Sequence, residues 1–251
     1  MRAHRSFLGH LLNLVVIGTC AAGARADEVR VAVAANFTEA ANAIAAKFEQ
    51  ASGHKVLYSF GSTGQLYAQI TQGAPFQVFL SADRQRPADA VAAGLAVKDT
   101  LFTYATGRLV LYSADSGRVK GDTTLREAAF TRLAIASPTA APYGAAAVET
   151  MKALGVHAAI EPKLVQGQNI AQTFQFIETG NAELGFVALS QVAGHARGSR
   201  WVVPETLHAP IAQDAVLLAA GDTAAARAFL AFLRGDAARA VKVQYGYGPG
   251  D

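Results

Sequence analysis

Beyond residue 26 the chain has no cysteine. Cys20 is its only one, so the remainder forms neither a disulfide nor a thiolate metal site. That stretch also lacks a charge excess. Arg2, Arg5 and Arg25 are the only charged residues among the first 26, which leaves 19 basic against 19 acidic residues in the rest. Nucleic-acid and anionic-membrane surfaces need a basic excess, and none is present. No segment after the first 26 residues is long and apolar enough to span a bilayer. His54, His157, His195 and His208 are scattered without metal-ligand spacing, and each reads as a solvated surface residue. Neither a P-loop nor a dinucleotide fingerprint occurs. Gly61-Ser62-Thr63-Gly64 is not the Gly-x-Ser-x-Gly nucleophile elbow.

The first 26 residues read as a secretory signal. Arg2 and Arg5 precede a mostly apolar stretch over 8–17, and Ala24-Arg25-Ala26 fits the small-x-small cleavage pattern. Cleavage there gives a soluble, exported, periplasmic chain of about 225 residues beginning at Asp27. A lipid anchor at Cys20 is the rival reading. Ile17-Gly18-Thr19-Cys20 matches a lipobox poorly, because Thr precedes the Cys.

The rest alternates strand and helix. Strands are expected over 29–34, 55–60, 78–81, 133–136, 163–165, 184–188, 201–203 and 211–218, and helices over 38–50, 65–72, 88–93, 125–130, 143–154, 170–179, 223–233 and 237–245. Segments 102–105 and 108–113 read as β-structure joined through Thr106-Gly107. The alternation implies α/β sheets, mainly parallel and flanked by helices. Two lobes are expected, 27–106 plus 212–251 and 107–211, with crossing strands near 102–113 and 211–218.

Four segments run from an apolar strand into a helix with small polar groups at the turn: 33–38, 59–64, 138–144 and 167–170. None holds an Arg, Lys, Asp, Glu, His or Cys. A helix start offers unpaired N–H groups and the positive end of the helix dipole. Several such starts aimed at one point hold an anion without formal positive charge. The bland alternative is capping by Asn36, Ser62, Thr63 and Asn169, and the two roles are compatible. Pro142 suits a first helical position, with Tyr143 and Gly144 behind it. Asp83 reads as a loop carboxylate capping a turn or helix.

Ala34-Ala35-Asn36-Phe37, Phe60-Gly61-Ser62-Thr63-Gly64-Gln65-Leu66, the stretch over 73–83, Ala141-Pro142-Tyr143-Gly144 and the stretch over 185–190 together resemble the periplasmic molybdate- and tungstate-binding proteins of ABC importers, the ModA family. The resemblance covers essentially the whole chain after the signal. It implies a type II periplasmic binding protein with two α/β lobes closing on a tetrahedral oxyanion. By position it implies donors from Ala35, Asn36, Ser62, Thr63, Tyr143 and Ile170. Molybdate or tungstate would be held through its oxygens, with no direct metal ligand, no cofactor and no catalytic residue. The implied partner is an inner-membrane permease, and the implied state a monomer without stable membrane insertion. The chain departs from one branch of the family at Asn36, Tyr143 and Ala188, where that branch has Ser, Ala and a ligating Tyr. The substitutions match a second branch, in which Tyr143 replaces in space the Tyr absent at 188.

Two alternatives stand beside this reading. One is another tetrahedral oxyanion, sulfate or thiosulfate. The other is a periplasmic phosphoester hydrolase with Ser62 as nucleophile, which lacks a visible base beside it.

Overall fold

The computed structural model describes residues 27–250; the signal and Cys20 lie outside them. Ten strands form two five-stranded sheets. The first has the order β2 (Lys55–Gly61), β1 (Glu28–Ala34), β3 (Val78–Leu80), β10 (Ile211–Leu217), β4 (Phe102–Gly107). The second has the order β7 (Leu164–Gly167), β6 (Leu133–Ala136), β8 (Leu184–Ala188), β5 (Leu109–Ser113), β9 (Ser199–Val202). In each sheet the first three strands are parallel and the fourth runs antiparallel. The fourth strand of each is reached directly from the opposite sheet. Only Arg108 separates β4 from β5, and residues 203–210 separate β9 from β10.

The joint between β4 and β5 falls at Arg108, one residue beyond Thr106-Gly107. Thr106 and Gly107 stay in β4, paired with Ala212 and Ile211, while Leu109 pairs with Ala188 in the second sheet. The chain changes sheets there instead of folding back on itself.

Ten α-helices are found among the described residues: α1 (Thr38–Ser52), α2 (Thr63–Thr71), α3 (Gln85–Ala92), α4 (Thr123–Glu127), α5 (Pro142–Ala153), α6 (His157–Ile160), α7 (Ile170–Glu178), α8 (Leu189–Val192), α9 (Ala224–Arg234) and α10 (Asp236–Gln244). Strand alternation sends side chains to two layers. In β1, Val29, Val31 and Val33 join Phe48, Phe229 and Leu233 on one face. Ala32 joins Leu66, Ile70 and Phe79 on the other. Leu109 and Leu111 of β5 face α5, and Val110 faces Ile177 of α7. Each such apolar side chain contributes about 1.5–3 kcal/mol when fully buried, so a sheet covered on both faces concentrates stability in short central strands.

Several boundaries shift for local reasons. Helix α2 begins at Thr63, because Ser62 and Gln65 form a capping box that starts it two residues early. Helix α3 begins at Gln85, and Asp83 accepts the Arg86 N–H at 3.0 Å. Helix α4 ends at Glu127, short of the expected 130, because Ala128 adopts a left-handed φ of 47°. Helices α5 and α7 stop before left-handed Gly155 and Gly180, as the sequence indicates.

Candidate functional site

Helix starts from both sheets meet at the seam between them. The Gly64 N–H at the start of α2 donates to the Ala140 carbonyl ahead of α5 at 2.9 Å. Ala34, Ala35 and Ala82 from the first sheet share one buried cluster with Ala141, Tyr143, Ile170 and Ala188 from the second. All six residues expected from the sequence are buried: Ala35 at 6% exposure, Asn36 and Ser62 at 3%, Thr63 at 1%, Tyr143 at 2% and Ile170 at 3%.

Tracing the first-turn donors shows what each start offers. At α2, Gly64 donates to Ala140 and Gln65 to the Ser62 hydroxyl, which leaves the Thr63 N–H. At α5, Pro142 has no N–H and Gly144 and Ala145 donate to the Ala141 carbonyl, which leaves Tyr143. At α7, Gln172 donates to the Asn169 side chain at 3.0 Å, which leaves the Ile170 N–H. The 3-10 turn Ala35–Phe37 ahead of α1 leaves the N–H of Asn36. Among the described residues these four N–H groups, each on a buried residue, make no hydrogen bond outside the regular helix and strand ladders, and a first-turn N–H has no intrahelical acceptor. Buried N–H groups are almost always paired, so four at one seam suit a multi-oxygen acceptor.

The side chains are not equally free. Thr63 Oγ1 accepts the Ala82 N–H at 3.0 Å, and its own proton remains to donate. Ser62 Oγ donates to Gln65 Oε1 at 2.9 Å. That bond puts an amide, not a base, against the hydroxyl a hydrolase would use. The capping expected of Asn36 does not occur. Phe37 is the N-cap of α1 and makes no side-chain cap bond, while Asn36 Nδ2 donates to Gln213 Oε1 at 2.9 Å and to Tyr247 Oη at 3.2 Å. Asn36 therefore faces the seam with its backbone N–H, and its amide is spent on neighbours far away in sequence.

Charge near the seam is balanced. Arg86 pairs with Asp83 and donates to the Thr139 carbonyl at 2.9 Å, so its guanidinium does not act as an isolated cation. Asp83 also accepts from the Ser81 hydroxyl at 3.1 Å. An open groove of about 290 Å³ runs along the seam past Ala82, Pro142 and Glu149, and none of the six expected residues lines it. Burial raises Tyr104, Tyr143 and Tyr247 well above the ordinary phenol range. These phenols stay protonated and uncharged.

His208 is the exception among the histidines. It is buried in the 203–210 crossing, with Nδ1 2.7 Å from the Ala209 carbonyl, although most of that crossing is exposed. Among the described residues no group of three His, Cys, Asp or Glu is placed to hold a metal ion. No helix among them is long and apolar enough to cross a membrane.

The sequence reading missed Tyr104, Ser190, Gln213 and Tyr247, which surround Asn36 and Tyr143. Gln213 and Asp214 in the otherwise apolar 211–217 strand were a usable signal, because a polar pair in a buried strand needs partners. Tyr247 carried none.

The model of a family described as bacterial extracellular solute-binding protein matches residues 29–248. The molybdate-binding protein ModA of Rhodobacter capsulatus is 53% identical over 235 residues, covering 93% of both chains. That of Azotobacter vinelandii is 50% identical over 246 residues, covering 96% of this chain and 98% of its own. A solved Azotobacter vinelandii periplasmic molybdate-binding protein superposes with a TM-score of 0.84 at 35% identity, covering 88% of this chain and 98% of that one. With the family model spanning nearly all the described residues and half the positions shared with these relatives, the chain belongs to the ModA family of bacterial extracellular solute-binding proteins.

Proposed function

We propose that this chain is a periplasmic receptor that captures molybdate or tungstate and delivers it to the inner-membrane permease of an ABC importer. The observation that carries the reading is the set of four N–H groups at Asn36, Thr63, Tyr143 and Ile170, each on a buried residue and without a hydrogen bond outside the regular ladders. A dianion buried without counter-charge needs many directed hydrogen bonds. We assign donors to Ala35, Asn36, Thr63, Tyr143 and Ile170, with Thr63 supplying its hydroxyl as well, and to Ser62, whose hydroxyl must turn from Gln65 Oε1 to reach the anion. Fixed donors disfavour a protonated oxygen, because a bound O–H needs an acceptor, and that selects against phosphate at neutral pH. Sulfate carries no proton either, so its exclusion rests on pocket size.

In this reading residues 1–26 are removed on export, and the chain acts as a monomer. Residues 27–106 plus 212–251 and residues 107–211 move as two lobes about the crossings. No covalent step, resident metal or cofactor takes part. The names of the relatives support molybdate as the cargo. Calorimetric titration of residues 27–251 with molybdate, tungstate and sulfate tests the reading. One-to-one binding of the first two without a sulfate signal is expected. Sulfate binding alone moves the ligand to the sulfate or thiosulfate alternative, and silence with all three rejects the receptor.

A further inference from the structure

The polar cluster at the seam extends beyond the proposed anion donors. Gln213 is partnered on both ends. Its Oε1 accepts from Asn36 Nδ2 and from the Tyr104 hydroxyl, each at 2.9 Å, and its Nε2 donates to Tyr143 Oη at 3.2 Å. On the other side of Asn36, the Ser190 and Tyr247 hydroxyls both donate to its carbonyl, at 2.8 and 2.6 Å, and lie 3.0 Å from each other. Asn36, Tyr104, Gln213 and Tyr247 belong to the first sheet and its helices. Tyr143 is the second residue of α5, packed on the second sheet, and Ser190 sits in α8, which follows β8 of that sheet.

Two backbone features serve this cluster. The β4–β10 register skips Tyr104, pairing Gln213 with Ala105 and Asp214 with Thr103. Such an irregularity re-aims side chains next to sites, and here it sets the Tyr104 hydroxyl against Gln213. At the crossing itself, Gly107 leaves its Cα bare where Tyr143 arrives. A Cβ there would run into the Tyr143 hydroxyl and lie 2.5 Å from Gln213 Nε2.

We infer that these six uncharged side chains form the latch of the closed state, and that Gln213 and Tyr247 are positioning residues acting through Asn36 and Tyr143. The inference rests on the oxyanion-receptor reading and adds a cause for slow release. Closing the seam brings Tyr143 to Gln213 and Ser190 to Asn36. Those contacts orient the turn carrying the Asn36 N–H and the start of α5 carrying the Tyr143 N–H. Opening breaks them, and water replaces the lost partners, so the latch is reversible. It contains no ionisable pair; burial keeps its phenols neutral.

The test is stopped-flow binding of molybdate to residues 27–251, read by intrinsic fluorescence, with Tyr247→Phe, Gln213→Leu and Ser190→Ala. Each variant loses at least one hydrogen bond across the seam, and that loss is expected to speed dissociation about tenfold and leave association within about twofold. Ser190→Ala combined with Tyr247→Phe is expected to fall short of the product of the single effects, since both hydroxyls serve one carbonyl. Tyr247→Phe removes a single oxygen and keeps the ring, so it carries the test if Gln213→Leu does not fold. Small-angle scattering gives a second readout: Gly107→Ala saturated with molybdate should stay as expanded as the unliganded protein. The latch is overturned if the wild type binds molybdate while Tyr247→Phe and Gln213→Leu release it at the wild-type rate, or if Gly107→Ala compacts fully. A wild type that binds none of molybdate, tungstate and sulfate overturns the receptor reading, and the latch with it.

Discussion

The two sheets share a strand plan, but their helix starts are prepared in two ways. Side chains fasten α2 on the first sheet and α7 on the second from within: Ser62 and Gln65 cap α2, Thr63 holds the Ala82 N–H, and Asn169 accepts the Gln172 N–H. The turn ahead of α1 and the start of α5 have no side-chain cap bond, and their positions come from contacts across the seam. Ala140 accepts from Gly64, Tyr143 meets Gln213, and Ser190 of α8 reaches Asn36. The α2 and α7 starts are thus a preset cradle, and the α1 and α5 starts acquire their geometry on contact. A receptor gains from this asymmetry, because preset donors capture the ligand and the contact-dependent ones hold it.

Cutting one side chain from each set should have the largest effect. Asn36→Ala with Thr63→Ala is expected to weaken molybdate binding by about a hundredfold: Thr63 loses a hydroxyl donor to a charged group, worth about 1.5–3 kcal/mol, and Asn36 keeps its N–H but loses the amide bonds to Gln213 and Tyr247 that orient it. The circular dichroism spectrum should stay folded. Calorimetry of the double variant checks this, and unchanged affinity would place the pocket elsewhere.

Two glycines sharpen the comparison. A Cβ on Gly144 would strike the Ala136 carbonyl at the end of β6, which forces α5 away from its own sheet. Gly144→Ala should therefore cost about 1–3 kcal/mol of stability as overpacking, lowering the melting midpoint by roughly 2–10 °C, and weaken binding as well. A Cβ on Gly64 would come to 3.2 Å from Ala140 Cα, across the seam. Gly64→Ala is expected to loosen binding by about threefold to tenfold, less than one strong hydrogen bond's worth, with little change in melting. If the two variants gave the same pattern, the cradle and the contact-dependent starts would not be distinct.

Legibility in the sequence followed the range of the forces involved. Strands at 133–136 and 184–188 were readable to the residue, because short apolar runs there are bounded by polar or helix-forming neighbours. The stops at Gly155 and Gly180 were readable because left-handed backbone favours glycine. The four helix starts were visible as strand–helix turns without charge. The partner of Asn36 was not. Its amide bonds span 177 and 211 residues of chain, and no local pattern records a contact made only after both sheets fold.

The smallest effect expected is on pH dependence, and it separates the seam from the periphery. Burial, with Arg239 nearby, lowers Lys242 to about 8; its Nζ donates to the carbonyls of Tyr104 and Leu233 at 2.8 and 3.1 Å. Between that value and the ordinary lysine range the unfolded chain binds more protons than the folded one. Stability should therefore rise as pH climbs through that window. Tyr104, Tyr143 and Tyr247 act in the opposite direction, because burial raises their folded values above the ordinary phenol range. Their contribution is fully present below about pH 10 and is lost as pH rises beyond it. Urea unfolding of the wild type should show a stability maximum at about pH 9–10, and Lys242→Met should remove the rise on its acid side. Molybdate affinity should stay flat from about pH 6 to 9, because every proposed donor is a neutral group that does not titrate in that range. A titration inside that range that weakened binding but left stability unchanged would place an ionisable group in the cradle, and the charge-free account of the site would fail.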